Sequence, residues 1–205
     1  MPDAGGGRDQ QSPAPPTEPV SEGRGDLARS PWRQLASRPV YENKWMRVRE
    51  DQVEMPDGRT TIYGVVHCGD CVGVLPFRDP DTVVLVGQYR YVAGDFFWEM
   101  PTGGLARGES EEAAVQRELA EEAGYEADRL TKLCAFHTSK SVMAETAHIY
   151  VAEGLRPVRR EADPTEFIEV RAFPFAEALR MVETDQIKDA MTIIAILHAA
   201  RRGGR

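Results

Sequence analysis

The sequence predicts an α+β chain, with a mixed sheet sandwiched between helices and an antiparallel hairpin region ahead of it. Several short strand patterns, divided by turn signals, come before any helical pattern. One strongly helical stretch then runs over 109–123 and stops at Gly124. Further strand patterns follow it, and two helical patterns close the chain. That order, β-rich, α, β, β, β, α, α, is what a sheet covered on both faces requires.

Residues 1–30 hold GGG and PAPP and little apolar material beyond Val20 and Leu27. Such a segment cannot bury enough surface to offset its ordering entropy, so a disordered tail is expected there. Order is expected from about Trp32 to Tyr41. Trp45 to Val53 partly alternates, Pro56-Asp57-Gly58 is a turn signal, and Thr60 to Val66 alternates again. Residues 45–67 therefore read as a hairpin. Strands are expected at Cys71–Phe77, from Thr82 into Tyr91, and at Phe96–Met100, where Pro101 stops the pattern.

Glu109 to Ala123 contains neither Pro nor Gly and is rich in good helix formers. Thr131–His137 and Thr146–Ala152 read as strands, with Thr138–Glu145 a loop between them. Phe167–Phe173 reads as a strand ending at Pro174. Phe175–Val182 and Asp189–Arg201 read as helices, the second with Ile193, Ile194, Ile196 and Leu197 at core-compatible spacing. The expected division is a tail over 1–30, N-terminal strands over 31–67 and a main domain over 68–205.

Composition narrows the function classes. At 205 residues the chain has room for one ordinary domain and a tail. The net charge of −8 argues against a nucleic-acid partner or an anionic membrane surface, since either needs a basic patch. No apolar run is long enough to cross a membrane, and no basic-then-apolar leader pattern opens the sequence. Three cysteines, few and odd in number, fit a reducing compartment. The expected location is the cytoplasm. Cys68, Cys71 and the adjacent His67 lack a second cysteine pair, so ordinary strand and turn residues explain them better than zinc does.

The chemistry is concentrated in residues 96–125, where a Gly-Gly pair precedes a glutamate-dense helix. At about 100° per residue, Glu118, Glu121 and Glu122 fall within an arc of roughly 100°. Val115, Leu119 and Ala123 occupy the adjoining arc and can pack on the sheet. Like charges three and four residues apart destabilise a helix, so such crowding needs a compensating charge. Hard oxygen donors at this density suit Mg2+, or Mn2+, which would bridge phosphate oxygens of a substrate. Gly103 and Gly104 are expected to turn the backbone tightly and let it approach a ligand.

Gly103, Glu109, Arg117, Glu118, Glu121, Glu122 and Gly124 stand at fixed offsets. Seven such identities, at usages near 5–7% each, arise by chance on the order of a few times in a billion starts. This spacing resembles the signature of the Nudix hydrolases, which cleave nucleoside diphosphates linked to another moiety. Tyr125 departs from it, standing where the family usually carries an aliphatic residue. The resemblance implies that Glu118 and Glu122 are the main metal ligands, with Glu121 a further ligand or orienting carboxylate. It also implies that Arg117 and Glu109 form a structural ion pair, that Gly124 closes the helix, and that the Thr102 carbonyl is an additional ligand.

The flanks extend the resemblance over roughly residues 40–200. Gln88-Tyr89-Arg90, followed by Glu99-Met100-Pro101-Thr102-Gly103, looks like the ADP-ribose pyrophosphatase branch. Arg90 is then expected to contact the diphosphate or terminal ribose, as its fork suits phosphate oxygens. Glu99 is expected to touch the substrate or position the loop, and Gly103 and Gly104 to line the phosphate site. The resemblance implies that Glu145 is the general base and that Trp45 stacks on adenine. It also implies a homodimer built through the N-terminal strands. The branch often carries a Ser-Pro-Gly-like segment before its glutamate, where this chain reads Ser139-Lys140-Ser141. The expected activity is metal-dependent hydrolysis of a nucleoside diphosphate sugar, ADP-ribose giving AMP and ribose 5-phosphate. The alternatives are a GDP-mannose or UDP-sugar diphosphatase, and a non-catalytic nucleotide-sugar sensor.

Overall fold

The first described stretch forms a three-stranded antiparallel sheet in the order β1-β2-β3, from Arg33–Glu42, Arg47–Glu54 and Thr60–His67. Asn43 shapes the first turn, its side-chain oxygen accepting from the Trp45 and Met46 amides at 2.8 Å each. The turn between β2 and β3 uses Gly58 at φ +84°, a conformation that costs glycine little. Asp51 is buried on β2 and accepts from Ser37 Oγ at 2.6 Å and Arg49 Nε at 2.9 Å. The computed structural model describes residues 30–159 and 167–203. The tail expected over 1–30 lies outside them except for Ser30. The chain forms two compact units, one reaching Cys68 and including Ser139–Ala144, the other made of Gly69–Thr138 and Glu145 onward.

The second unit is built on a mixed sheet. Its strands are β4 (Cys71–Asp79), β5 (Thr82–Arg90), β6 (Asp95–Glu99), β7 (Thr102–Gly104), β8 (Tyr125–His137), β9 (Thr146–Pro157) and β10 (Glu169–Pro174). The path runs β10-β5-β4-β9-β8, with β6 paired to β5 and β7 to β4. β4 and β9 are parallel, while the other pairs in this unit are antiparallel.

The two-residue period of the central strands divides the core. Val72, Val74, Val84 and Val86 face one way and meet Val115, Leu119 and Ala123. Leu75, Phe77, Val83 and Leu85 face the other way, toward Phe175, Ala178 and Met181 of helix α2 (Phe175–Glu183). Ala195 and Ile196 of helix α3 (Ala190–Gly203) join that second layer. Helix α1 (Glu111–Glu118) therefore covers one face of this sheet, and α2 and α3 cover the other.

Three expectations need correction. The helix expected over Glu109–Ala123 starts at Glu111, because Ser110 caps it by accepting from the Ala113 amide at 3.2 Å. Glu109 is left outside the helix, and residues Leu119–Ala123 form a π turn rather than continuing α1. β8 begins at Tyr125, well before the expected Thr131. Its first half carries charged cross-strand pairs with β9, Arg129 to Glu153 at 2.6 Å and Asp128 to Arg156 at 2.8 Å, which hide the apolar alternation. Gly103 and Gly104, expected to turn the backbone, lie instead in a short strand, Thr102–Gly104, paired with β4.

Leu119 is fully buried where α1 passes into the π turn, so it anchors the glutamates to the sheet. Leu119→Ala is expected to destabilise the protein by about 2–5 kcal/mol, seen as a lower urea midpoint.

Candidate active site

Gly103 lies extended in β7, opposite Val72 of β4. A Cβ there would fall 1.9 Å from Glu118 Oε1. Glycine is thus required by the approach of a carboxylate to the strand, not by a turn as expected. The chain reverses later, at Gly108 with φ +83°, where the Glu109 amide donates to the Ala106 carbonyl at 3.0 Å. A Cβ on Gly104 would meet nothing within 4 Å. Its carbonyl accepts from Arg117 Nη2 at 2.9 Å.

Arg117 gathers the acidic groups. Nε and Nη2 donate to Glu109 at 3.0 and 3.1 Å, and Nη1 donates to Glu118 Oε1 at 2.5 Å and Glu121 Oε2 at 3.3 Å. The hydrogen bonds that it donates to Glu109, and then the Glu118 carboxylate, raise the guanidinium above its ordinary range despite partial burial. In turn Arg117 and the Ala106 amide hold the Glu109 carboxyl below its usual value. One cation spread over three carboxylates offsets repulsion that the helix cannot absorb alone.

Glu118 and Glu122 are 8% and 7% exposed, whereas the Glu121 side chain is about one-third exposed. The even helical step behind the expected single arc does not run through 119–123. The π turn widens the spiral there, and Arg117 Nη1 still reaches both Glu118 and Glu121. Gly124 ends the turn at φ +73°, its amide donating to the Ala120 carbonyl at 3.2 Å. Glu122 Oε2 accepts from the Thr102 amide at 2.9 Å, which ties the π turn to β7. Thr102, Gly103, Glu118 and Glu122 are therefore neighbours.

This donor set fits a hard divalent cation, which takes one or two carboxylates and completes its shell with water and phosphate oxygens. Among the described residues no three His, Cys, Asp or Glu side chains are grouped so as to hold a metal ion by themselves, so water and phosphate oxygens would have to complete the shell.

Arg90 and Glu99, each expected to face substrate, grip one another. Arg90 Nε donates to the two Glu99 oxygens at 3.0 and 3.1 Å, and Nη2 donates to Oε2 as well. Glu99 is buried and Arg90 about two-fifths exposed. Glu99 raises the arginine above its ordinary value against the effect of burial, with smaller contributions from Glu122 and Asp189. Glu145 precedes β9 and accepts from Thr138 Oγ1 at 2.5 Å. Trp45 belongs to the other unit, is 70% exposed, and has Lys44 Nζ 4.1 Å from its ring centroid.

Residues that sequence reading missed include Ser110, Gly108 and Thr192. Ser110 stands just before Glu111-Glu112 and could have been recognised as a cap. Thr192 gives no local signal, because its partner Met100 is distant in sequence.

Known proteins place this architecture. The NUDIX domain model matches residues 69–192, and the model for the nucleoside diphosphate sugar hydrolase N-terminal domain matches 32–66. The ADP-ribose pyrophosphatase of Bacillus subtilis (strain 168) is 35% identical over 79% of this chain and 89% of its own length. The methanol dehydrogenase activator of Bacillus methanolicus is 31% identical over the same shares. A solved structure described as an ADP compounds hydrolase superposes with a TM-score of 0.78, covering 88% of this chain and all of that one at 22% identity. With the motif, the fold and these matches in agreement, the chain belongs to the Nudix hydrolase family.

Proposed function

We propose that the protein hydrolyses the diphosphate linkage of a nucleoside diphosphate sugar, converting ADP-ribose and water into AMP and ribose 5-phosphate. The reading is carried by one observation: two buried carboxylates, Glu118 and Glu122, fixed four residues apart against a glycine strand. The N-terminal match to nucleoside diphosphate sugar hydrolases and the name of the Bacillus subtilis relative support the substrate class.

Glu118, Glu122 and the Thr102 carbonyl would hold Mg2+, or Mn2+, with Glu121 as an outer or orienting carboxylate. When bound, such a cation would supply charge neutralisation on the diphosphate and a lower pKa for water near it. Arg117 keeps the carboxylates together before substrate arrives. Arg90, already aligned by Glu99, offers its exposed edge to a phosphate or ribose oxygen. Gly103 and Gly104 leave the strand bare of side chains beside the phosphates. Glu145 takes the proton of the attacking water. Trp45 stacks on the base, and the strands over 31–67 form a homodimer with a second copy. Among the described residues no helix is long and apolar enough to cross a membrane, and the net charge of −8 argues against a nucleic-acid partner. A cytoplasmic location is proposed from the few, odd-numbered cysteines, which fit a reducing compartment.

Glu122→Gln is expected to fold normally by circular dichroism and to lower kcat by about 10²–10³-fold, the scale of a lost metal contact. Full activity in the purified variant would remove Glu122 from the ligand set. Gly103→Ala forces a methyl group into the Glu118 carboxylate. It is expected to cost about 1–3 kcal/mol in stability and about 10²-fold in turnover, readable by thermal melting and steady-state kinetics. Glu145→Gln should lower kcat by about 10²–10⁴-fold with KM little changed. Turnover on ADP-ribose, GDP-mannose and UDP-glucose with Mg2+ and with Mn2+ tests the substrate assignment. ADP-ribose is expected to give the highest kcat/KM. Tight ADP-ribose binding with no metal-dependent hydrolysis would make the protein a sensor instead.

A further inference from the structure

The segment 99–102 leads into the glycine strand, and its polar groups are held in succession. Arg90 takes the Glu99 carboxylate, the Pro101 carbonyl accepts from the Val74 amide at 3.0 Å, and the Thr102 amide donates to Glu122 at 2.9 Å. Between them, the Met100 amide donates to Thr192 Oγ1 at 2.9 Å. Both residues are fully buried, and the bond joins the segment to the start of α3.

The direction of this bond is fixed by chemistry. An amide can only donate and a carboxylate can only accept. Thr192 Oγ1 therefore gives its hydrogen to Asp189 Oδ2, 2.6 Å away, and presents a lone pair to Met100. Asp189 also caps α3, accepting from the Thr192 amide at 2.7 Å through the same oxygen, while its carbonyl accepts from the Ile193 amide at 3.0 Å. The hydroxyl is thus locked by the helix cap and locks Met100 in turn. The Met100 side chain packs against β4 at Gly73, its Cε filling the space that a Cβ there would take. Two residues beyond Met100 stands Thr102, which bonds Glu122.

We propose that Thr192 is a positioning residue for the metal site, its hydroxyl setting the register of residues 100–102 and, through them, the Glu122 carboxylate. The inference rests on the ligand assignment proposed above. A cap that served only α3 would stabilise the helix without touching metal affinity.

The test compares Thr192→Val, which keeps the shape and loses the hydroxyl, with Thr192→Ser, which keeps the hydroxyl. Ile196→Val, another buried position on α3, serves as the stability control. Mn2+ binding to the full chain without nucleotide is followed by electron paramagnetic resonance, alongside thermal melting. Thr192→Val is expected to weaken Mn2+ binding about 10–100-fold, the range for groups that orient metal ligands. Thr192→Ser is expected to restore it, and Ile196→Val to lower the melting temperature alone. Wild-type affinity in Thr192→Val, or equal weakening in Thr192→Ser, overturns the proposal. If Thr192→Val does not fold, Asp189→Ala replaces it. Weakened binding in that variant supports the proposal, and unchanged binding overturns it. A wild-type chain that binds Mn2+ but hydrolyses no nucleoside diphosphate sugar refutes the proposed activity and leaves the Thr192 comparison decisive. A wild-type chain that binds no Mn2+ overturns both.

Discussion

Two carboxylates more than nine-tenths buried within one short stretch of helix impose the constraint on which the second unit depends. Burial penalises each charge and proximity penalises the pair, so the fold must bring donors and a cation to them. Arg117 provides the cation and the Thr102 amide one of the donors. Glu118 could not lie where Arg117 meets it if β7 carried a side chain at Gly103, because its carboxylate occupies that space. The strand, the capped helix and the π turn are parts of one solution to a problem of charge.

β4 is the strand that makes this solution rigid. It pairs with β5, with β7 and, in parallel, with β9, so the short glycine strand is attached to the most internal strand of its sheet. Its valines pack under the glutamate helix, while Leu75 and Phe77 pack under α2 and α3. A side chain placed by such a strand has little freedom, which is what a site needing sub-ångström placement requires.

The spacing of Gly103, Glu109, Arg117, Glu118, Glu121, Glu122 and Gly124 was legible because chemistry fixes those residue types at those offsets. The two-faced core was legible because Val72 to Phe77 and Val83 to Val86 are apolar on both sides of the pleat. Other features were hidden for physical reasons. A π turn has no composition of its own, so Leu119–Ala123 looked like ordinary helix. The first half of β8 is stabilised by charged cross-strand pairs and shows no apolar period. Gly103 read as a turn residue, since sequence does not distinguish a glycine that bends from one that makes room. Thr192 matters through a single bond to a distant amide, which no local pattern records.

Residues 139–144 group with the N-terminal sheet although the strands on either side of them belong to the other unit. The Val66 amide donates to the Val142 carbonyl at 2.9 Å, and the Ala144 amide donates to the Val66 carbonyl at 2.8 Å, so this loop completes the end of β3. A chain emerging from the ribosome at about 5–20 residues per second therefore exposes an unfinished strand end for several seconds. Cutting the protein between residues 68 and 69 would leave that end permanently unsatisfied. The N-terminal unit is thus discontinuous in sequence, closed by a loop that the chain supplies some seventy residues later.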